Sequence, residues 1–418
     1  MRDLIRSVVS DECLLDAEAV HSYAVHGRAP EAVVAPRDAQ EAAAVLKLAS
    51  ENRIPVECAG AGSRLRAGQM PRQLGIVMTS ARLRGIAEYE PADLVIAVGA
   101  GTSFPQLHEA VAPHNQFLAL DPSGLPRSTI GAAVATAAAG PLRYAHGTPR
   151  DQVLGLEVVT GDGRILHFGG RVVKNVAGYD LVRLMVGSRG TLGFVTRVNV
   201  RLKPQPEIDQ TMALTASSFG AVAELTDAVL AASLEPAALE ILSGSLAQEV
   251  SGDGPWTLLI RLHGNAEAAR DAAQQIARIA NGAGVRALES AAWRTLAESE
   301  AGATLNLRFA NLPSLLRDTT AHALETARLA HLDDVRLAIH AGDGIVRLLA
   351  DQVGQGGETA LLEQRAMIEK NGGTLIVERA APGVSMAAFG VPDALGLMTE
   401  IKKVFDPAGI LGAGRFVV

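Results

Sequence analysis

A chain of 418 residues is longer than one hydrophobic core usually serves, which predicts two or three domains. Its 48% hydrophobic and 20% charged residues are the balance of a packed globular protein, and a net charge of −7 without any dense Lys/Arg run excludes a nucleic-acid backbone or an anionic lipid surface as main partner. Cys13 and Cys58, the only cysteines, exclude a disulfide framework and cannot supply the four thiolates of an ordinary iron–sulfur cluster.

Asp3, Asp11, Glu12 and Asp16 interrupt the N-terminal apolar residues, and no later stretch approaches a membrane-spanning length. A cytoplasmic protein is expected, associated with a membrane only through partner subunits. Pro36-Arg37-Asp38 opens a helical pattern in which Asp38 and Glu41 have capping-box spacing and Ala42, Val45, Leu46 and Ala49 form the apolar face. A short strand at 54–59 then runs into Gly60-Ala61-Gly62-Ser63-Arg64. A second strand is expected at 94–98, a helix at 102–112, and a stretch of small residues at 121–141. Segments 154–160 and 164–168 flank Asp162-Gly163, which suits a tight hairpin turn. Lys203-Pro204-Gln205-Pro206 reads as a linker. Beyond it, expected strands at 211–217, 256–263 and 336–340 alternate with expected helices at 219–232, 265–280 and 313–329, as in a ferredoxin-like sandwich with a degenerate repeat.

Gly60-Ala61-Gly62 does not complete a dinucleotide fingerprint, because Leu65 holds the third glycine position and a helix precedes the strand. No Lys-Ser or Lys-Thr pair makes it a nucleotide-hydrolase phosphate loop either. Two readings remain: a tight turn, or consecutive unencumbered N–H groups able to wrap a diphosphate, with the Ser63 hydroxyl as a further donor. Ser128-Thr129-Ile130-Gly131-Ala132 begins a second small-residue segment that could hold the same anion from the other side, or simply pack closely as a helix.

The stretch from Arg171 through Lys174-Asn175, Gly178-Tyr179-Asp180, Arg183, Gly187-Ser188 and Gly190-Thr191 to Gly193 resembles, almost residue for residue, a motif of the FAD-binding E subunits of bacterial glycolate oxidases, flavoproteins of the vanillyl-alcohol oxidase type. Gly140-Pro141 with Arg143, Gly147, Arg150 and Asp151, and Phe405-Asp406-Pro407 through Leu411, continue the likeness. The resemblance implies an α+β protein: a PCMH-type FAD-binding domain of two α/β lobes at residues 1–206, a ferredoxin-like cap domain at 207–384, and a segment at 385–418 returning to the FAD domain. It implies FAD at Gly60, Ala61, Gly62, Ser63, Arg64, Thr129, Gly131, Arg143, Gly147, Thr148, Gly193 and Val195, with Lys174 placing positive charge near the flavin. Asp180 reads as a helix cap. Covalent relatives carry a histidine near the position of Ser63, so FAD is expected to be non-covalent.

Relatives that oxidise 2-hydroxy acids, including the D subunits, carry HxGDGNxH and a later GEHG that supply metal-ligating and acid–base groups. Here His340-Ala341-Gly342-Asp343-Gly344 keeps the first half, with Ile345 and Arg347 where asparagine and the second histidine are expected. Glu378 persists beside Arg379 in place of the other histidine. No metal is therefore expected. Arg347 and Arg379 become candidates for binding a substrate carboxylate, or else form ion pairs, and His340 becomes a candidate base. The expectation is a subunit of a glycolate (2-hydroxy acid) oxidase complex, with a D-like FAD subunit and an iron–sulfur subunit as partners. The alternatives are an autonomous FAD-dependent dehydrogenase and a non-catalytic flavin-binding assembly subunit.

Overall fold

The computed structural model describes residues 1–124, 127–170, 179–232, 234–281, 284–382 and 384–418. It divides into two compact units: Met1–Ala139, Gly147–Gln205 and Val391–Val418 form the first, Gly140–His146 and Pro206–Gly390 the second. Among the described residues no helix is long and apolar enough to cross a membrane.

In the first unit, β1 (Ala32–Val34), β2 (Val56–Ala59) and β3 (Ile76–Thr79) form a parallel sheet in the order β1-β3-β2. The central β3 is apolar from Ile76 to Met78 and wholly buried, as suits a parallel strand covered on both faces. Helix Ala39–Glu51 packs on it through Ala42, Val45, Leu46 and Ala49, and the Asp38 side chain accepts from the Glu41 backbone N–H. Next come β4 (Ile86–Glu90), β5 (Val95–Gly99), β6 (Gln116–Phe117), β7 (Val153–Val159), β8 (Ile165–Gly169), β9 (Phe194–Arg201) and β10 (Lys203–Pro204). Five of these make an antiparallel sheet in the order β4-β5-β9-β7-β8. Gly163, at φ 83, turns the β7–β8 hairpin. Leu94 sits in the left-handed region at φ 56, so β5 begins at Val95, one residue later than the apolar run suggests. The Lys203-Pro204 stretch, expected as linker, pairs as β10 with β6.

The second unit is built on one sheet of β11 (Ile208–Ala216), β12 (Ala238–Ser243), β13 (Trp256–Gly264), β14 (Val285–Leu288), β15 (Leu305–Ala310), β16 (Arg336–His340), β17 (Ile345–Ala350) and β18 (Thr374–Arg379). Its order, β14-β11-β13-β12-β16-β17-β15-β18, contains the repeat that sequence identity hides. The first four strands with helices Phe219–Ala231 and Ala266–Ala280 form one βαββαβ unit, and the last four with helices Leu316–Leu329 and Gly357–Lys370 form another. In each, the first and third strands lie centrally, and the second strands, β12 and β16, join the repeats antiparallel.

The four long helices cover one face of this sheet, against Leu239, Ile241, Leu307, Ile339, Val346 and Leu348. The period-two alternation of a strand sends the intervening side chains to the opposite face. There Ala238, Leu242, Ala338 and Leu349 pack with helices Gly244–Ser251 and Ala291–Gly302.

Candidate functional site

Two sites emerge, one in each unit. In the first unit, the loop after β2, helix Ile130–Thr136 and the segment leading into β9 line a common cleft through Gly60, Gly62, Ser63, Arg64, Gly131, Gly193 and Val195, all expected for the cofactor. The approach of these segments demands small residues. A Cβ on Gly60 would meet Thr129 Oγ1 at 2.3 Å, one on Gly131 would meet the Ala100 carbonyl oxygen at 2.8 Å, and one on Gly193 would meet Val158 Cγ1 at 2.4 Å. Gly62 adopts φ 80, a conformation that favours glycine. The Gly60 carbonyl accepts from the Thr79 hydroxyl at 2.6 Å, which fixes the loop at its base. A cradle of backbone that side chains would fill suits a diphosphate-bearing cofactor.

Not every expected residue lines this cleft. Ala61 is exposed, and Thr129 lies behind it, accepting from Ala132 N at 3.3 Å. Gly147, at φ 78, and Thr148 sit elsewhere in the unit, where the Thr148 N–H and hydroxyl both donate to Asp151. Arg143 belongs to the second unit, paired with Asp343. Lys174 lies outside the described residues. Asp180 accepts from Arg183 N, capping helix Leu181–Met185.

The cleft also contains residues that the sequence did not single out, notably Glu57, Cys58, Arg189 and Arg415. Arg415 is buried and donates to Glu57 Oε1 at 3.1 Å, Gln69 O at 2.6 Å and Leu65 O at 3.0 Å, so the C-terminal tail braces the far end of the glycine loop. Burial raises the Glu57 pKa despite the opposing Arg415 charge, and burial also raises the Cys58 thiol, helped by Glu57.

The second site is a polar row on the sheet face opposite the long helices. Strands β12, β16, β17, β15 and β18 contribute Glu240, His340, Arg347, Arg308 and Glu378 in that order, with Glu300 from helix Ala291–Gly302. His340 Nδ1 hydrogen-bonds Glu240 Oε1, and its Nε2 is met by Arg347 Nη1. Burial, then the positive charges of Arg347, Arg143 and Arg308, hold the His340 pKa well below the ordinary imidazole value. The neutral ring therefore donates through Nδ1–H and accepts through Nε2. Burial opposes the Arg347 charge, but Glu300, Glu378 and Glu240 outweigh it and raise its pKa. Arg347 also pairs with Glu378 at 3.4 Å and Glu300 at 3.9 Å.

Arg379 does not join Arg347. The register between β15 and β18 shifts so that Arg379 lies opposite Asn306, at the strand end, where Nη1 donates to the carbonyls of Ala301 and Ala303 at the close of helix Ala291–Gly302. The half-retained HxGDG segment does not fit a metal: both His340 nitrogens are engaged, and the Arg347 guanidinium fills the space at Nε2. Among the described residues no group of three His, Cys, Asp or Glu side chains is disposed to hold an ion.

The chain matches the model of the FAD binding domain over residues 30–169 and that of the C-terminal domain of FAD-linked oxidases over 205–327 and 309–416. It is 30% identical over 418 aligned residues to glycolate oxidase subunit GlcD of Bacillus subtilis, covering 92% of this chain and 88% of that one. It is 41% identical over 145 residues to glycolate oxidase subunit GlcE of Escherichia coli, covering 34% of this chain and 41% of that one. A crystal structure of p-cresol methylhydroxylase superposes with a TM-score of 0.77 at 17% identity, over 99% of this chain and 95% of that one, which is a likeness of fold.

Proposed function

The chain belongs to the family of FAD-linked oxidoreductases and binds FAD, and on that premise we propose that it is the E-type, FAD-binding subunit of a 2-hydroxy-acid (glycolate) dehydrogenase complex. The observation that carries this reading is the closed unit of Glu240, His340 and Arg347. Where D-type relatives have a second histidine, this chain has a fixed guanidinium surrounded by carboxylates, so its polar centre is organised differently from a metal-assisted acid–base site. The local identity to a GlcE subunit supports the same assignment.

Bound FAD supplies the acceptor for the hydride lost from the substrate carbon. The chain's own residues would hold it: the N–H groups of Gly60–Ser63 would take the diphosphate, in the cleft that Gly131, Gly193 and Val195 also line. Ser63 has no imidazole for covalent attachment, so the flavin is released intact on denaturation. In the second unit, His340 serves as a neutral imidazole held by Glu240, Arg347 as its cationic partner, and Arg379 as the tie to the neighbouring helix end. Cys13 and Cys58 cannot build an iron–sulfur relay, so electrons leave through partner chains: a D-like flavoprotein and an iron–sulfur subunit, reached in the cytoplasm or at a membrane those partners occupy.

The test is anaerobic flavin reduction by glycolate and by D-lactate, followed by turnover with an artificial acceptor, for the isolated chain and after reconstitution with its partners. Turnover that appears or rises strongly on reconstitution is expected. Full turnover by the isolated chain, unchanged by partners, would make it an autonomous dehydrogenase. A flavin that no 2-hydroxy acid reduces in either state would make FAD an assembly ligand.

A further inference from the structure

If the substrate is a 2-hydroxy acid, its carboxylate needs a cation, and the structure narrows the choice. Four arginines in the second unit concern this region: Arg143, Arg308, Arg347 and Arg379. Arg347 is enclosed by His340, Glu378 and Glu300, and Arg379 is spent on two backbone carbonyls. Both residues singled out from sequence are thus committed to protein partners.

Arg143 and Arg308 are built differently. Each has one close carboxylate, Arg143 Nε lying 2.9 Å from Asp343 and Arg308 Nε 3.0 Å from Glu378. A guanidinium carries five N–H donors, so a single neighbouring carboxylate leaves donors for a second anion. Their side chains are 23% and 25% exposed, against 9% for Arg347, so a small solute can reach them.

The two pairs flank the same histidine. Arg308 on β15 lies opposite Arg347 on β17, and Arg347 meets His340. The turn that follows His340 carries Asp343, whose N–H donates to His340 O at 3.1 Å. Tyr144 lies so close to that turn that a Cβ on Gly342 would overlap its ring, which fixes the segment bearing Arg143. Burial lowers the Arg143 pKa and Asp343 opposes this, while the charges of Arg347 and Arg308 lower it further; Arg143 thus lies within the field of both.

We propose that Arg143 and Arg308 form the carboxylate-binding fork of this chain, taking the carboxylate of a small oxyacid beside His340, with Arg347 as an internal counter-ion rather than a substrate ligand. This rests on the 2-hydroxy-acid reading for the identity of the substrate, but the fork can be tested without turnover. Because each arginine is already offset by a carboxylate, the site binds by directed hydrogen bonds rather than by net field.

The probe is oxalate, a carboxylate with no C–H bond to lose as hydride, titrated calorimetrically into the FAD-loaded chain, with inorganic phosphate in a parallel arm. Saturable oxalate binding is expected. Arg143→Ala and Arg308→Ala should each weaken it about tenfold, the scale of a lost pair of charge-assisted hydrogen bonds. Arg317→Ala, at an exposed pair with Asp227, should leave it unchanged. Arg143→Lys and Arg308→Lys keep the charge and lose the fork, and should bind nearly as weakly as the alanine variants. Wild-type oxalate affinity in folded, flavin-loaded Arg143 and Arg308 variants overturns the proposal, as does a wild-type chain that takes phosphate and not oxalate, or neither. A flavin that no 2-hydroxy acid reduces, in a chain whose oxalate binding still depends on both arginines, removes the dehydrogenase reading and leaves the fork standing.

Discussion

The substitution Gly60→Ala tests the cofactor loop with the smallest perturbation available. The new Cβ would lie 2.3 Å from Thr129 Oγ1 and 3.0 Å from Ala132 Cβ. Ordinary contact needs about 3.5 Å, so the loop or the helix start must give by roughly 1 Å. The Gly60 carbonyl is held by Thr79 and the far end of the loop by Arg415, which leaves the exposed middle of the loop, at Ala61, to retreat. That retreat carries its N–H groups away from the diphosphate. Overpacking of this kind costs about 1–3 kcal/mol, equivalent to an FAD affinity weakened about 5- to 150-fold. Adding Thr129→Ala removes the nearest atom and leaves Ala132 Cβ at 3.0 Å, so the double variant should recover part of the loss. FAD titration of the deflavinated protein by fluorescence quenching, with thermal unfolding of apo and holo forms, measures both. Unchanged FAD affinity in Gly60→Ala, or a double variant no better than the single, refutes the loop assignment.

Two further outcomes follow from buried charges. Arg415→Ala leaves Glu57 buried without its guanidinium, a loss of about 3–5 kcal/mol. Because burial raises the folded-state pKa of Glu57 above its unfolded value, the folded form holds the extra proton and stability falls as pH rises through that interval. Chemical denaturation at several pH values should therefore show Arg415→Ala penalised more at high pH than at low, and an equal penalty throughout would contradict it. His340 has the opposite sign: its folded pKa is depressed, so the unfolded chain takes the proton first, and the stability present above about pH 6.5 is lost as pH falls toward the folded value. Removing the Arg347 charge by Arg347→Met should raise the His340 pKa and flatten this acid-side slope, read as melting temperature against pH; an unaltered slope would place the titration elsewhere.

Much of the first unit was legible because its signals are local. Asp38 with the 42-45-46-49 stripe gives helix Ala39–Glu51, and Asp162-Gly163 gives the β7–β8 hairpin. In the second unit, β12, β15, β17 and β18 escaped notice for one physical reason. Each carries a charge that breaks its apolar run, Glu240, Arg308, Arg347 or Glu378, joined by Asn306 in β15 and Arg379 in β18, on a sheet face partly covered by helix Ala291–Gly302. Glu240 in the middle of Ala238–Ser243 was the available signal: a lone carboxylate in a buried segment needs a partner, and here the partner is His340. Arg415 offered no such clue, since it meets Glu57 and Leu65 across some 350 residues of chain.

The paired arginines show where motif reasoning stops. In sequence, Arg347 and Arg379 look equivalent, each standing in a place expected for histidine. In the fold, a register shift between Asn306 and Leu307 decides their difference. Glu378 reaches Arg308 and Arg347 across the sheet face, while Arg379 is carried to the strand end beside the carbonyls of a terminating helix, where a cation is favoured by the unpaired C=O groups. One arginine thus changes the charge at the centre of the polar row, and the other secures its wall. The Glu240–His340–Arg347 unit leaves Arg347 buried, whereas the side chains of Arg143 and Arg308 are partly exposed, which is why the proposed carboxylate site is assigned to them rather than to Arg347.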